Sequence, residues 1–224
     1  MMGSWTPTER RIGMWSAIAI VIISASYITT GIIWLRFSVS GVGVQGLEPS
    51  EPFLSILETL ILLVTPALVA LFAALHAYAP PERNTCSRIA FAFAVLLAGI
   101  TGVVHFVQLT AIRRTANKTI TEVFALYDPN SRLTPTLAAD LVAWDFFLGF
   151  GLLFAAPIFR GDKLNVAIRG GLTLSGLLCL AGVSGPASGD MRFQYPAIVG
   201  YAFVFPFVCL LLAILFARSY KSVS

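Results

Sequence analysis

Glu58, His105, Asp140 and Asp145 are titratable side chains well inside long apolar runs of this sequence, with His76 near the end of one. An ionisable group in hydrocarbon is expensive, and it is a functional candidate by default. A carboxyl in low dielectric is neutralised more readily than in water, and a neutral acid is a competent proton donor near neutral pH. An imidazole beside it can hold or pass the proton. The set suits acid/base chemistry on a lipid-soluble substrate: protonating an alkene, opening an epoxide or shifting a double bond. Glu58 and Asp140 are expected to act as acid or base, His105 as the relay, and Asp145 as a further acid deeper in the membrane. Gln108 and Trp144 are expected to position the substrate. The ring faces of Trp144, Tyr27 and Tyr201 would stabilise a carbocation.

Such residues need a scaffold, and the composition says which kind. Of 224 residues, 57% are hydrophobic and 12% are charged, with a mean hydropathy of +0.84. Soluble domains carry roughly a quarter charged residues, so a water-soluble globule is excluded. A helix needs about 20 apolar residues to cross roughly 30 Å of hydrocarbon. Six stretches qualify: about 13–35, 53–79, 87–112, 134–158, 166–184 and 194–217. The runs are continuous rather than alternating, which predicts helices and not a barrel. The expected fold is an all-α, polytopic bundle of six transmembrane helices forming one domain over 1–224.

Local signals mark the ends. Thr6-Pro7-Thr8-Glu9 reads as a capping box with Pro at the first helical position, and Thr134-Pro135 starts the fourth span in the same way. Asn84 or Thr85 is expected to cap the third span. A short interfacial helix is expected around 119–127, ended by Asp128-Pro129-Asn130. Pro66, Pro157 and Pro206 are expected to free carbonyls and kink their helices. Arg10-Arg11 precedes an apolar run as in a signal peptide, but that run is long and no A-x-A site follows, so a retained helix is expected.

Lysine and arginine set the orientation. The N-terminal side holds Arg10, Arg11, Arg83, Arg88, Arg160, Lys163, Arg169, Arg218 and Lys221; the other side holds Arg36, Arg113, Arg114, Lys118, Arg132 and Arg192. Positive charge stays inside, which places both termini in the cytoplasm. The net charge of +4 then reflects topology and contact with the lipid bilayer, with no reason to invoke nucleic acid. Glu58, His105 and Asp140 come from three different spans. At 1.5 Å per residue all three lie roughly 10 Å below the outer face, with Asp145 nearer the midplane. Asp145 follows Asp140 by five residues, about 140° round a regular helix, so the two aspartates are not expected to share one cavity. Asp140 and Trp144 are spaced to share a face.

Other chemistry finds no foothold. The two histidines, His76 and His105, fall near opposite faces, too far apart for one haem. Cys86, Cys179 and Cys209 are too scattered for a zinc site or a disulfide framework. Nucleophile-elbow, phosphate-loop and dinucleotide fingerprints are missing, so neither cofactor nor metal is expected. The plainer reading of the same residues is structural. Glu58 would lock onto His105, Asp140 would be solvated near its helix start, and Asp145 would bond to Trp144. Two further functions compete with an enzyme for a hydrophobic small molecule. One is a proton-coupled carrier or channel, built as a homo-oligomer; the other is a non-catalytic subunit that binds lipid or a membrane partner.

Overall fold

A computed structural model describes residues 6–39, 51–126 and 133–221. Helix α1 runs Pro7–Val39, α2 Phe53–Tyr78, and α3 Asn84–Thr110. A short helix, α4 (Lys118–Phe124), follows before the fourth span. That span joins α5 (Pro135–Leu141), a π turn (Val142–Phe147) and α6 (Leu148–Ala155), and ends in a 3-10 turn at Ala156–Ile158. The fifth span is α7 (Lys163–Gly182), extended by the single turn α8 (Ser184–Ser188). The sixth joins α9 (Tyr195–Val199), a second π turn (Gly200–Val204) and α10 (Phe205–Lys221). Six helical stretches are long and apolar enough to cross a membrane, with mean hydropathies from 1.7 to 2.7. The chain is an all-α bundle of a multi-pass membrane protein.

The starts of the helices follow the local chemistry. Thr6 and Glu9 form the reciprocal capping box: the Thr6 amide donates to Glu9 at 2.8 Å and the Glu9 amide to Thr6 Oγ1 at 3.2 Å. Thr134 Oγ1 accepts from the Leu137 amide at 3.0 Å. The third span departs from expectation. Neither Asn84 nor Thr85 caps it; Arg83 stands at the N-cap without a side-chain bond. The reason is the 3-10 turn Pro81–Arg83, which leads directly into α3 and makes a separate cap unnecessary. The residues Asp128, Pro129 and Asn130 lie outside the described residues, but α4 itself forms, capped by Asn117, whose Oδ1 accepts from the Thr119 and Ile120 amides.

Consecutive spans are neighbours, and the last packs on the first, since α10 touches both α1 and α7. Leu68, Leu71, Phe72 and Leu75 of α2, Leu97 of α3, Leu152 of α6, Leu172 of α7 and Leu212 of α10 fill the interior. Lipid tails are as apolar as leucine, so this packing rests on close dispersion contact rather than on escape from water. Close approach needs small residues. At the α6–α7 contact a Cβ on Gly176 would stand 2.8 Å from the Gly149 carbonyl oxygen, and one on Gly149 would stand 3.2 Å from that of Gly176. The glycines that weaken helix propensity in the fifth span are therefore what let it seat. Gly176→Ala is expected to push α6 and α7 apart and cost about 1–3 kcal/mol. Its thermal unfolding in neutral detergent should fall by several degrees, while Gly170→Ala, in open space on the same helix, should leave it within a degree or two of wild type.

Candidate functional site

Three spans do deliver their polar groups to one place. Glu58 stands two turns into α2, His105 in the second-last turn of α3, and Asp140 near the end of α5. His105 Nδ1 and Glu58 Oε2 share a hydrogen bond of 2.5 Å. On the other edge of the ring, His105 Nε2 lies 3.4 Å from Asp140 Oδ1. That distance is within ion-pair range but lacks hydrogen-bond alignment, so among the described residues Nε2 has no hydrogen-bond partner. Asp140 Oδ1 also accepts from Thr101 Oγ1 at 3.2 Å. Glu58 is 1% exposed, His105 2% and Asp140 13%. The imidazole thus bridges two carboxyls in a dry interior, and both ring nitrogens face acids. Among the described residues no group of three His, Cys, Asp or Glu side chains is arranged to hold a metal ion.

The order of the three groups matters chemically. A proton taken up at Glu58 can pass to Nδ1 while Nε2 releases its own toward Asp140. Each exchange moves a proton between adjacent heavy atoms. Glu58 Oε1 has no hydrogen-bond partner among the described residues. A buried acceptor left unpaired costs about 1–3 kcal/mol, so it stands ready for a donor.

A cavity of about 250 Å³ adjoins this carboxyl between α2, the end of α3 and α4. Its apolar wall includes Leu54, Leu109, Ile112 and Leu126; its polar lining includes Ser55, Glu58, Gln108, Arg113, Thr115 and Thr121. Gln108 lines the cavity and also donates from Nε2 to the Phe124 carbonyl at 2.6 Å, tying α4 to α3. Thr134 Oγ1 donates to the next carbonyl, that of Ala125, at 2.7 Å. The short helix is therefore strapped over the cavity by side chains from both flanking spans.

Asp145 is elsewhere, apart from the trio, although a π turn rather than the regular helix assumed for the angle separates it from Asp140. It is buried, and its Oδ1 accepts from Gln194 Nε2 at 2.9 Å. Its partner is not Trp144, whose ring instead packs on Tyr201 with centroids 5.4 Å apart. Nor does Trp144 share a face with Asp140, which turns to α3. The π turn begins at Val142, between the two, and its i→i+5 bonds shift the register. Tyr27 is half-buried on α1, within electrostatic range of the Tyr201 hydroxyl. These residues form a second polar centre: among the described residues neither Asp145 Oδ2 nor Gln194 Oε1 has a hydrogen-bond partner, and each lies 3.3 Å from where a Gly182 Cβ would stand. Of the residues singled out by sequence, Glu58 and Gln108 line the cavity, His105 and Asp140 stand behind Glu58, and Asp145, Trp144, Tyr27 and Tyr201 lie with the second centre.

Sequence reasoning missed Gln194 and Thr101. Gln194 sits at the start of the sixth span, where a glutamine carries no signal unless its neighbour is known to be a buried acid. At the opposite end of the bundle, His76 Nδ1 donates to Ser87 Oγ at 2.8 Å, and Ser87 donates onward to the Asn84 carbonyl at 2.9 Å. This is a closed local chain, in keeping with a structural role for His76.

Removing the shared member of the trio should be far worse than neutralising an outer one. His105→Ala leaves two acids buried with no imidazole between them, an expected loss of about 3–5 kcal/mol. Glu58→Gln keeps a hydrogen-bonding group of the same shape and should cost about 1 kcal/mol. Thermal unfolding of the two variants, with the double variant to measure their coupling, checks this order. No family model, no curated protein and no solved structure matches the chain, so what it does has to be read from its own geometry.

Proposed function

We propose that this chain is a membrane-embedded enzyme that moves protons on a hydrophobic, lipid-like substrate. Its cavity faces the outer leaflet, and both termini are cytoplasmic. The observation that carries the reading is the double life of Glu58. One carboxyl oxygen is held by His105, the other has no hydrogen-bond partner among the described residues, and the residue lines a cavity. A group placed so can exchange a proton with a bound molecule and draw on a relay behind it.

The reaction fits a shift of a double bond. Glu58 as carboxylate removes a proton from a carbon next to a C=C bond. The C–H electron pair becomes the new C=C bond, and the old π pair takes a proton at the far carbon. The carboxyl that received the first proton supplies the second, so atoms and charge balance. Opening an epoxide needs the same donor. Cyclisation of a long polyene is less well served, because about 250 Å³ falls below the ~300–1,000 Å³ of sites that enclose a drug-sized molecule. Support against a carrier comes from what lies below the trio. Val64, Leu68, Leu71, Phe72 and Leu97 are buried between the trio and the distal His76–Ser87 pair, and a blind cavity suits an enzyme better than a conduit.

Solvent exchange tests this directly. Purified protein in neutral detergent, incubated in D2O with a total lipid extract, should place deuterium on carbon in one lipid class, read by mass spectrometry. Glu58→Gln should abolish the incorporation, and Asp140→Asn should slow it about tenfold or more. If no lipid gains label, or the Gln variant labels as fast as wild type, the enzyme reading fails. Dissipation of a pH gradient in proteoliposomes that depends on Glu58 would favour a carrier.

A further inference from the structure

The rim of the cavity already holds a carboxylate. Arg113 Nη2 pairs with Glu51 Oε1 at 2.9 Å, and Ser55 Oγ donates to Glu51 Oε2 at 2.7 Å. Arg113 Nη1 in turn donates to Ser55 Oγ. Both oxygens of one carboxylate are thus gripped by a guanidinium and a hydroxyl that themselves line the cavity. Glu51 is not among the lining residues; it precedes α2 and is 45% exposed, as is Arg113 at 42%. One guanidinium nitrogen meets the carboxylate and the other the hydroxyl beside it, and charge-assisted contacts from arginine are what proteins use for carboxylate and phosphate.

We infer that Arg113 and Ser55 are the head-binding site for an oxyanion-headed amphiphile, a carboxylate or a phosphate monoester, and that Glu51 occupies it when no ligand is bound. The inference rests on the reading of Glu58 as the proton-exchanging group, and it narrows the substrate class of that site. Ligand and Glu51 compete for one fork, and the half-exposed Glu51 side chain can turn to water when displaced. Thr115 lies in the same lining, and its hydroxyl, which accepts from the Asn117 amide, keeps a proton to donate to a third oxygen.

The helix fixes where the chemistry falls. Ser55 and Glu58 are one turn apart on α2, an axial step of ~4.5 Å. A head seated on Arg113 and Ser55 therefore brings atoms two to three bonds away to the level of the Glu58 carboxyl. The group acted on lies close to the anionic head, not in the middle of a tail. The tail has its own place. Ile120, Val123 and Phe124 of α4 and Val103 and Phe106 of α3 are exposed apolar residues on the two helices that carry the cavity-lining Thr121 and Gln108. In a bilayer they face acyl chains, so a cavity too small for a whole lipid need admit only its polar end.

Equilibrium binding to protein in nanodiscs of zwitterionic lipid tests the assignment, with hexyl phosphate, hexanol and inorganic phosphate as probes. Hexyl phosphate should bind about tenfold or more tighter than hexanol, and Arg113→Gln should erase that preference. Glu51→Ala removes the internal competitor and should tighten hexyl phosphate roughly two- to fivefold, as expected for a half-exposed ion pair. Arg113→Lys, which keeps the charge but not the fork, should retain only part of the preference. A preference for hexyl phosphate that survives in Arg113→Gln, or a Glu51→Ala variant that binds it more weakly, would overturn the assignment. Inorganic phosphate binding as tightly as hexyl phosphate would overturn the amphiphile and leave a soluble oxyanion. Binding is read without turnover, so this result stands apart from deuterium exchange: head selectivity without exchange leaves the site and removes the enzyme.

Discussion

A polar side chain inside hydrocarbon has no water to turn to, so its partners must come from other helices. That constraint organises this protein. The Glu58–His105–Asp140 trio joins α2, α3 and α5 because none of the three can be satisfied within its own helix. Burial raises the stakes, since in a low-dielectric interior a paired charge is held firmly and an unpaired one is costly. The trio is nearly but not fully satisfied: Glu58 Oε1 and His105 Nε2 lack proper partners. A purely structural lock would be expected to close those valences. Of the two, Oε1 belongs to Glu58, which lines the cavity, while His105 stands behind it.

The apolar framework answers the complementary problem of holding helices at fixed spacing without hydrophobic force between them. Gly149 and Gly176 let α6 and α7 approach to backbone contact. The second π turn shows the same economy in polar form. Its loosened Gly200 carbonyl accepts from Ser175 Oγ at 2.9 Å, so a helix irregularity is repaired by a hydroxyl from the neighbouring span. Both π turns lie on spans that flank α7, next to the second polar centre of Asp145 and Gln194. Irregular helix geometry and buried polar groups coincide here, a pairing frequent where proteins place functional side chains.

Much of this was legible before any coordinates. Hydropathy marks each span to within a few residues, because apolar length is dictated by membrane thickness and little else. The meeting of Glu58, His105 and Asp140 follows from alternating topology and a constant rise per residue. What stayed hidden depended on departures from the regular helix. The expected shared face of Asp140 and Trp144 assumed 3.6 residues per turn, and the π turn at Val142–Phe147 breaks that assumption without a proline or glycine to announce it. Gln194 was invisible because its meaning depends on Asp145, 49 residues earlier in the chain. The strap formed by Gln108 and Thr134 over α4 involves backbone carbonyls as acceptors, which no residue type advertises.

The π turn in the fourth span also bears on how this sequence could change over evolutionary time. Relative to an α-helix, such a turn holds one surplus residue. Excising a single codon between 142 and 147 would leave a regular α-helix, and because the turn already absorbs that residue the segments on either side would keep nearly their present faces. Asp140 and Asp145 would then stand one residue closer in the chain while still pointing at their separate partners. An insertion or deletion of one residue, ordinarily ruinous in a packed bundle, is here a change that the fourth span can take up without disturbing either polar centre.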